Sequence, residues 1–232
     1  MTTLHGTILG LLQSRGEGKL YSLQREAGGY RNVSAAEYLS GSLRFSAYLR
    51  SKGVRVGDRV MLLSENGPEW TMAALAAMNL GAVVVPVASI ASLLEIQNTV
   101  KDALPKLSLV SSRLPLSRPL QEFLAAEGLE FLAWDLQADE PLQKWQAAEP
   151  DTIDESMGGD ATALLIYTSG TTGAPKAVPI SHQNVLSNAQ AALQVIEASP
   201  EDRLVSVLPL SHLFEFTGGF VTPALLGCEV TY

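Results

Sequence analysis

Cysteine occurs once in the 232 residues, at Cys228. An internal disulfide is therefore excluded, and the composition suits a reducing compartment such as the cytoplasm. Cys228 stands in an apolar run and reads as core rather than as a nucleophile. Histidine is nearly as scarce: His5, His182 and His212 lie far apart, and no His/Cys/Asp grouping has metal-ligand spacing. A G-x-S-x-G nucleophile elbow is missing. Positive charge is in short supply, 16 Lys and Arg against 24 Asp and Glu, and the net charge of −8 disfavours a nucleic-acid partner or an anionic membrane surface. No basic region precedes the short apolar stretch from Ile8 to Leu12, so a signal peptide is not expected. An unbroken membrane-length apolar run is missing too. Residues 70–94 carry no charge, but Asn79, Gly81, Pro86, Ser89 and Ser92 interrupt them. They read as a buried helix from Trp70 to Leu80 with Gly81 at its cap, then a buried strand from Ala82 to Val87, and not as a transmembrane span.

What is present is the composition of a globular protein with a substantial core, 47% hydrophobic and 17% charged. Lys19 to Gln24 alternates like a strand, and Gly28-Gly29 marks a turn. Ser34 to Glu37 forms a capping box for a helix carrying Leu39, Leu43 and Ala47 on one face and ending at Gly53. A Gly57-Asp58 turn leads into a strand from Arg59 to Leu63, and Pro68 opens the helix containing Trp70. Ser92 and Glu95 form a second capping box, for a helix with Ile96, Val100 and Leu104 on its apolar face. Strands at Leu107 to Val110 and Leu129 to Trp134 flank a helix from Ser117 to Glu127 with Leu120, Phe123 and Leu124 as its stripe. Strand–helix alternation with near-continuous apolar strands predicts an α/β fold, with parallel-rich sheets covered by helices. From Asp135 to Asp160, eight acidic residues and one Lys show little periodicity and predict a solvated acidic connector. The expected organisation is an N-terminal unit over 1–134, the connector over 135–160 and a third unit over 161–232.

The third unit opens on the most informative stretch. Ala163 to Tyr167 is an apolar run with strand character, and Ala177 to Ile180 is apolar again. Between them Thr168 to Lys176 is almost entirely Thr, Ser and Gly, closed by Pro175-Lys176. Glycines let backbone N–H groups approach an anion, successive N–H groups make an anion-binding concavity, hydroxyls add donors or a Mg²⁺ ligand, and Lys adds a point charge. The loop is not a Walker A motif: Pro175 occupies the second Gly position and Ala177 the Ser/Thr position. A flexible linker is the plain alternative, but linkers seldom sit between two apolar strand patterns. Ser181 then caps a helix with Val185, Ala189, Ala192 or Leu193, and Ile196 on its face, with His182 and Asn184 as further caps. A strand from Leu204 to Leu208, the segment Pro209 to Gly219, a helix from Phe220 to Leu226 broken by Gly227, and a strand starting at Glu229 complete the pattern.

The decapeptide Tyr167 to Lys176, YTSGTTGAPK, resembles the signature loop of the adenylate-forming (AMP-binding) synthetases, the family of acyl-CoA synthetases, luciferases and peptide-synthetase adenylation domains; Ala177 departs from the more usual Gly. The segments RSKGVRVGDRVMLLSENGPEW and LGAVVVPV resemble the N-terminal part of the same family, and Pro209 to Glu215 resembles its acyl-pocket motif, in the His-Leu-Phe-Glu form of the long-chain fatty acid–CoA ligases. Residues 1–20 and 111–158 carry little resemblance. The resemblance implies ATP-dependent activation of a carboxylic acid to an acyl-adenylate, then transfer to a thiol, usually that of coenzyme A. It implies that Thr168, Ser169, Gly170, Thr171, Thr172, Gly173 and Lys176 hold the ATP phosphates, with Thr172 on Mg²⁺. His212 is implied as the catalytic residue on the substrate side, and Phe214 and Phe216 as lining for the acyl chain. Without the family, His212 reads as a structural histidine at a strand end, and both phenylalanines as core. The motifs that hold adenine, ribose and the second Mg²⁺ ligand, and the C-terminal domain with its lysine, do not occur. The expectation is therefore the N-terminal, incomplete portion of the large domain, inactive alone, poorly soluble through a bare final strand and helix, and requiring a C-terminal partner chain if the enzyme is split. The rival is a truncated remnant serving as an interaction module.

Overall fold

The computed structural model describes residues 2–15, 18–24, 30–134, 148–168 and 176–232. The Gly28-Gly29 turn, residues 135–147 of the acidic segment and residues 169–175 of the Gly-rich loop lie outside them.

The strands expected from the apolar runs form the larger of two sheets. β3 (Arg59–Leu63), β4 (Val83–Val87), β5 (Leu107–Ser111), β6 (Phe131–Trp134), β7 (Thr162–Thr168) and β8 (Lys176–Ser181) lie in the order β6-β5-β3-β4-β7-β8. All neighbours are parallel except β7 and β8. Period-two alternation serves two cores. Met61, Leu63, Val85, Val87 and Val110 face one side, where α4 (Leu93–Ala103) brings Ile96 and Val100, and α5 (Ser117–Ala126) brings Leu120 and Leu124. Val60, Leu62, Val84 and Leu109 face the other, toward α2 (Ala35–Ser51) and α3 (Pro68–Asn79). All twelve residues of α3 are buried, Glu69 and Asn79 included. No helix among the described residues is long and apolar enough to cross a membrane.

The second sheet has the order β2-β1-β10-β9, built from β1 (Lys19–Gln24), β2 (Tyr30–Ser34), β9 (Arg203–Val205) and β10 (Glu229–Thr231). Only β1 and β2 are antiparallel. The second core cluster continues into this half through α1 (Leu4–Arg15), α6 (His182–Leu193) and α7. The last comprises an α-helical turn at Leu213–Glu215, a π-helical stretch at Phe216–Val221 and a final α-helical turn at Thr222–Leu226.

Several expectations need correction. The final strand is not bare: β10 pairs with β1 on one side and β9 on the other, and Phe220, Val221 and Ala224 are buried. In α2 the buried face is Tyr38, Ser42, Phe45, Ser46 and Leu49, with Leu39 and Leu43 only partly covered. Serine tolerates that face because its hydroxyl finds a local acceptor: Ser42 Oγ donates to the Tyr38 carbonyl at 2.8 Å. Leu104 is off the apolar face of α4; it ends that helix at φ 46° and is 59% exposed. Ile196 lies beyond the end of α6 and is exposed, and β9 stops at Val205 with its residues facing solvent.

The described end of the acidic segment, 148–160, is largely exposed but is tied to α2 and α3 at several points. Asp151 Oδ2 accepts from Ser46 Oγ at 3.0 Å and from Arg50 Nη2 at 3.0 Å. Asn79, buried at the end of α3, donates to the Thr152 carbonyl and accepts from Asp154 N at 2.9 Å. Ile153 packs on the core.

Candidate functional site

The Gly-rich loop joins β7 to β8, so it is the turn of an antiparallel hairpin. Its mouth is defined on both sides: Thr168, the last residue of β7, is the cross-strand partner of Lys176, the first of β8. Both are exposed, and Lys176 makes no ion pair among the described residues. A hydroxyl and an uncommitted ammonium thus stand on the two paired strand ends that precede and follow residues 169–175. This arrangement suits a polyanion such as a nucleotide triphosphate, with Lys as the point charge. No group of three or more His, Cys, Asp or Glu side chains suited to a metal occurs among the described residues. Mg²⁺ fits nonetheless, because it is usually held by one or two protein oxygens plus substrate phosphates. The resemblance assigns that role to Thr172, outside the described residues.

The hairpin leaves β7 at its carboxyl end, the edge of a parallel sheet where α/β proteins bind ligands. Tyr167, one residue before the mouth, donates its hydroxyl to Asp102 Oδ2 at 2.5 Å, fixing β7 to the last turn of α4. Burial, followed by that bond, pushes the Tyr167 phenol well above its usual value of 10.0.

The segment after β9 reaches the same edge. Asn66, just beyond the carboxyl end of β3, donates to Ser206 Oγ at 2.9 Å and to the Leu208 carbonyl at 2.7 Å, and accepts from Leu210 N at 2.9 Å. Ser206 Oγ donates in turn to Glu215 Oε1 at 2.6 Å, and Glu215 is 5% exposed. His212 follows at the start of α7; its side chain is exposed and its carbonyl accepts from Phe216 N at 2.9 Å. Phe214 is 77% exposed, whereas Phe216 is buried, edge-on to Trp70 at 6.1 Å and to Phe220 at 5.4 Å. The two phenylalanines therefore face different surroundings. The π-helical stretch immediately after Glu215 is of a kind frequent at functional sites.

Asn184 is a cap as expected: it exchanges hydrogen bonds with Ser181 in a third capping box. His182 is not. It is 1% exposed, and its Nδ1 accepts from the backbone N–H of Leu4 at 3.3 Å. Asp102 escapes a reading of the sequence because its partner is 65 residues away and it stands on the polar face of an amphipathic helix. Asn66 lies within the stretch that resembles the family, which is the signal that marks it.

The chain is 31% identical over 180 residues to a CoA ligase of Gibberella moniliformis, covering 76% of this chain and 29% of that protein. It is 30% identical over 215 residues to long-chain-fatty-acid–CoA ligase 5 of Rattus norvegicus, covering 80% of this chain and 30% of the relative. It thus spans about 30% of the length of these relatives. Among solved structures, the N-terminal domain of FACL13 from Mycobacterium tuberculosis superposes over the whole chain and 57% of its own length, at TM-score 0.87 and 24% identity. ATP-bound MatB from Rhodopseudomonas palustris does so over 45% of its length, at TM-score 0.84 and 25% identity. The model of the family described as "AMP-binding enzyme" matches residues 15–232, and the chain belongs to that family.

Proposed function

We propose that this chain supplies the phosphate-binding hairpin and part of the acyl side of an AMP-forming ligase that activates a fatty acid with ATP and passes it to a thiol, coenzyme A in the first instance. The observation that carries the reading is the signature sequence at a hairpin whose mouth pairs Thr168 with an exposed Lys176. In the first step a carboxylate attacks the α-phosphorus of ATP, and pyrophosphate leaves with its charge. Such chemistry asks for charge neutralisation and in-line placement more than for covalent help. In this reading Gly170 and Gly173 let the backbone approach the β- and γ-phosphates, and Ser169, Thr168 and Thr171 donate to them. Thr172 contacts the Mg²⁺ that accompanies them, and Lys176 balances the leaving group. His212, exposed at the start of α7, orients the carboxylate. Phe214 offers apolar surface to the chain of the acid, while Phe216 supports it from within the core. The fatty-acid preference rests on the His-Leu-Phe-Glu form of residues 212–215 and on relatives such as the rat long-chain ligase.

The test is ATP–pyrophosphate exchange in an active enzyme containing this chain together with the nucleotide-binding remainder of the family's domain. Lys176→Ala and Thr172→Ala should each lower exchange by ~10²-fold, the usual cost of one transition-state donor. Unchanged exchange in both would sink the assignment. Activity confined to acetate or amino acids would overturn the fatty-acid preference alone.

A further inference from the structure

Two histidines that play no part in the proposed chemistry are buried against each other behind the hairpin. His5 and His182 are 0% and 1% exposed, and their rings meet edge to face with centroids 5.3 Å apart. His182 Nδ1 accepts from Leu4 N, so that nitrogen carries no proton. His5 Nε2 lies 2.8 Å from the Asp154 carbonyl oxygen, which can only accept, so the His5 proton sits on Nε2; Thr3 Oγ1 is 3.2 Å from the same nitrogen. His5 Nδ1 is buried without a partner among the described residues. His182 is therefore the neutral Nε2–H tautomer, and a second proton on His5 would have no acceptor among the described residues.

Their placement links three segments. His182 N donates to the Ala161 carbonyl at 3.1 Å and Gln183 N to the Gly159 carbonyl at 2.8 Å, so the β8–α6 junction is tied to the entrance of β7. Ser181 and Thr162 are cross-strand partners at this foot of the hairpin, opposite the Thr168–Lys176 mouth. The first turn of α1 closes over it through Leu4 and His5.

A proton added to His182 must go on Nδ1, where it faces the Leu4 N–H: an acceptor becomes a donor and the bond is lost. A proton added to His5 must go on its unpartnered Nδ1. Compensating charge is sparse. α1 offers His5 itself, with Arg15 at its far end bonded to Ala224 and Leu225. Residues 216–226 of α7 carry no ionisable side chain. β7 and β8 hold Tyr167 and Lys176 at the mouth. The preceding segment brings Asp160, which is exposed, and Asp154, whose carboxylate accepts from Ser156 N at 2.8 Å and lies within the fields of His5 and Arg50, so that it opposes in part the cost of charging His5.

We propose that the His5–His182 pair is a latch that holds α1 to the foot of the β7–β8 hairpin only while both rings are uncharged, with His182 as a positioning residue for the strand that bears Lys176. The consequence for nucleotide binding rests on the function proposed above. Desolvation holds His5 below its usual value and takes His182 down to about 4, His5 adding a smaller push in the same direction. The released form binds protons more readily than the latched one, so the latch is whole near neutrality and weakens as pH falls through 6.5 toward 4.

The experiment uses the 232-residue chain as wild type, as the His5→Gln/His182→Asn double variant and as His182→Ala. Amide hydrogen exchange, corrected for intrinsic rate, is followed for residues 4–9 and 176–183 from pH 7.5 to 4. Calorimetric titration with MgATP is run at the same pH values. Glutamine keeps an N–H donor toward Asp154 and asparagine keeps an acceptor toward Leu4, and neither titrates. Wild-type protection should fall by up to ~10²-fold across the range. The double variant should stay flat, and His182→Ala should show the acid behaviour at every pH. The same acid loss in the double variant, or full protection in His182→Ala, overturns the latch. Imidazole NMR titration of the wild type guards against a variant that fails to fold: either ring titrating near 6.5 also overturns it. MgATP binding that ignores pH while protection falls removes the positioning role. No MgATP binding by the wild type at any pH removes the positioning role and leaves the latch to stand or fall on the exchange pattern, while the proposed function is judged by ATP–pyrophosphate exchange in the completed enzyme.

Discussion

The hydroxyl of Tyr167 and the carboxylate of Asp102 meet at 2.5 Å, joining the strand that enters the Gly-rich loop to the last turn of a helix 65 residues earlier. This bond ties the strand end at the mouth of the hairpin to α4. Asp102→Ala should cost about 1 kcal/mol in urea denaturation, the worth of one partly exposed hydrogen bond. Asp102→Asn, which keeps an acceptor, should recover most of it. Equal losses in both variants would show that charge, rather than the bond, is what matters there.

The same pair sets an alkaline prediction. Burial and the Asp102 bond raise the Tyr167 phenol above 10.0, so between pH 10 and that raised value the folded chain holds a proton that the unfolded chain has released. Stability therefore falls as pH rises through this window. In an ultraviolet titration Tyr167, identified by Tyr167→Phe, should ionise after ordinary tyrosines, and Asp102→Ala should bring it part of the way back. A Tyr167 that titrates near 10 in the wild type would contradict the geometry.

Arg15 terminates α7 from the other end of the chain. Nη1 donates to the Ala224 carbonyl at 2.6 Å and Nη2 to the Leu225 carbonyl at 2.9 Å, while Gly227 beside them takes φ 96°. A Cβ on Gly227 would come within 3.1 Å of the guanidinium carbon. Arg15→Ala should destabilise by about 2 kcal/mol, since charged donors to carbonyls are the stronger class of hydrogen bond. Gly227→Ala should cost about 1–2 kcal/mol through its left-handed backbone alone. Thermal or urea denaturation checks both, and a silent Arg15→Ala would mean that water replaces the cap without loss.

Leu104 is the one described non-glycine residue with positive φ, at 46°, and its side chain is largely exposed. Leu104→Gly should raise stability by up to ~1 kcal/mol by removing the left-handed penalty at a helix end. A loss of stability would reveal a packing role for the side chain.

Glu69 is buried, with one carboxylate oxygen 3.2 Å from Arg31 Nη1 and the other without a partner among the described residues. Desolvation raises its pKa against the opposing pull of Arg31, so this group makes the fold less stable as pH rises from 4.5 through the raised value. Arg31→Met should cost about 3 kcal/mol near neutrality, because it strands a buried charge. The cost should shrink as pH falls and Glu69 takes up a proton. A pH-independent cost would show that Arg31 acts by packing.

Much of the fold was legible because local signals agreed. Capping boxes at Ser34, Ser92 and Ser181 start three helices, and the runs at Arg59–Leu63 and Val83–Val87 form buried strands. The loop's place between two strands was legible for the same reason. Readings failed where the deciding partner was distant. Ser46 looks like a surface residue until Asp151, 105 residues away, is seen beside it. His182 looks like a cap until α1 arrives over it, and the final strand looks bare until β1 and β9 close around it.

That last arrangement bears on how the molecule is made. β10 lies between β1 and β9, with Val230 opposite Tyr21, so the early β1–β2 pair waits for a neighbour encoded roughly 200 residues later. At common synthesis rates of about 5–20 residues per second, that neighbour emerges some 10–40 seconds afterwards. Until then β1 presents an open parallel edge to whatever else is in the cell. A nascent chain in that interval is a natural client for chaperones, and a ribosome stalled before residue 229 leaves the small sheet without its centre.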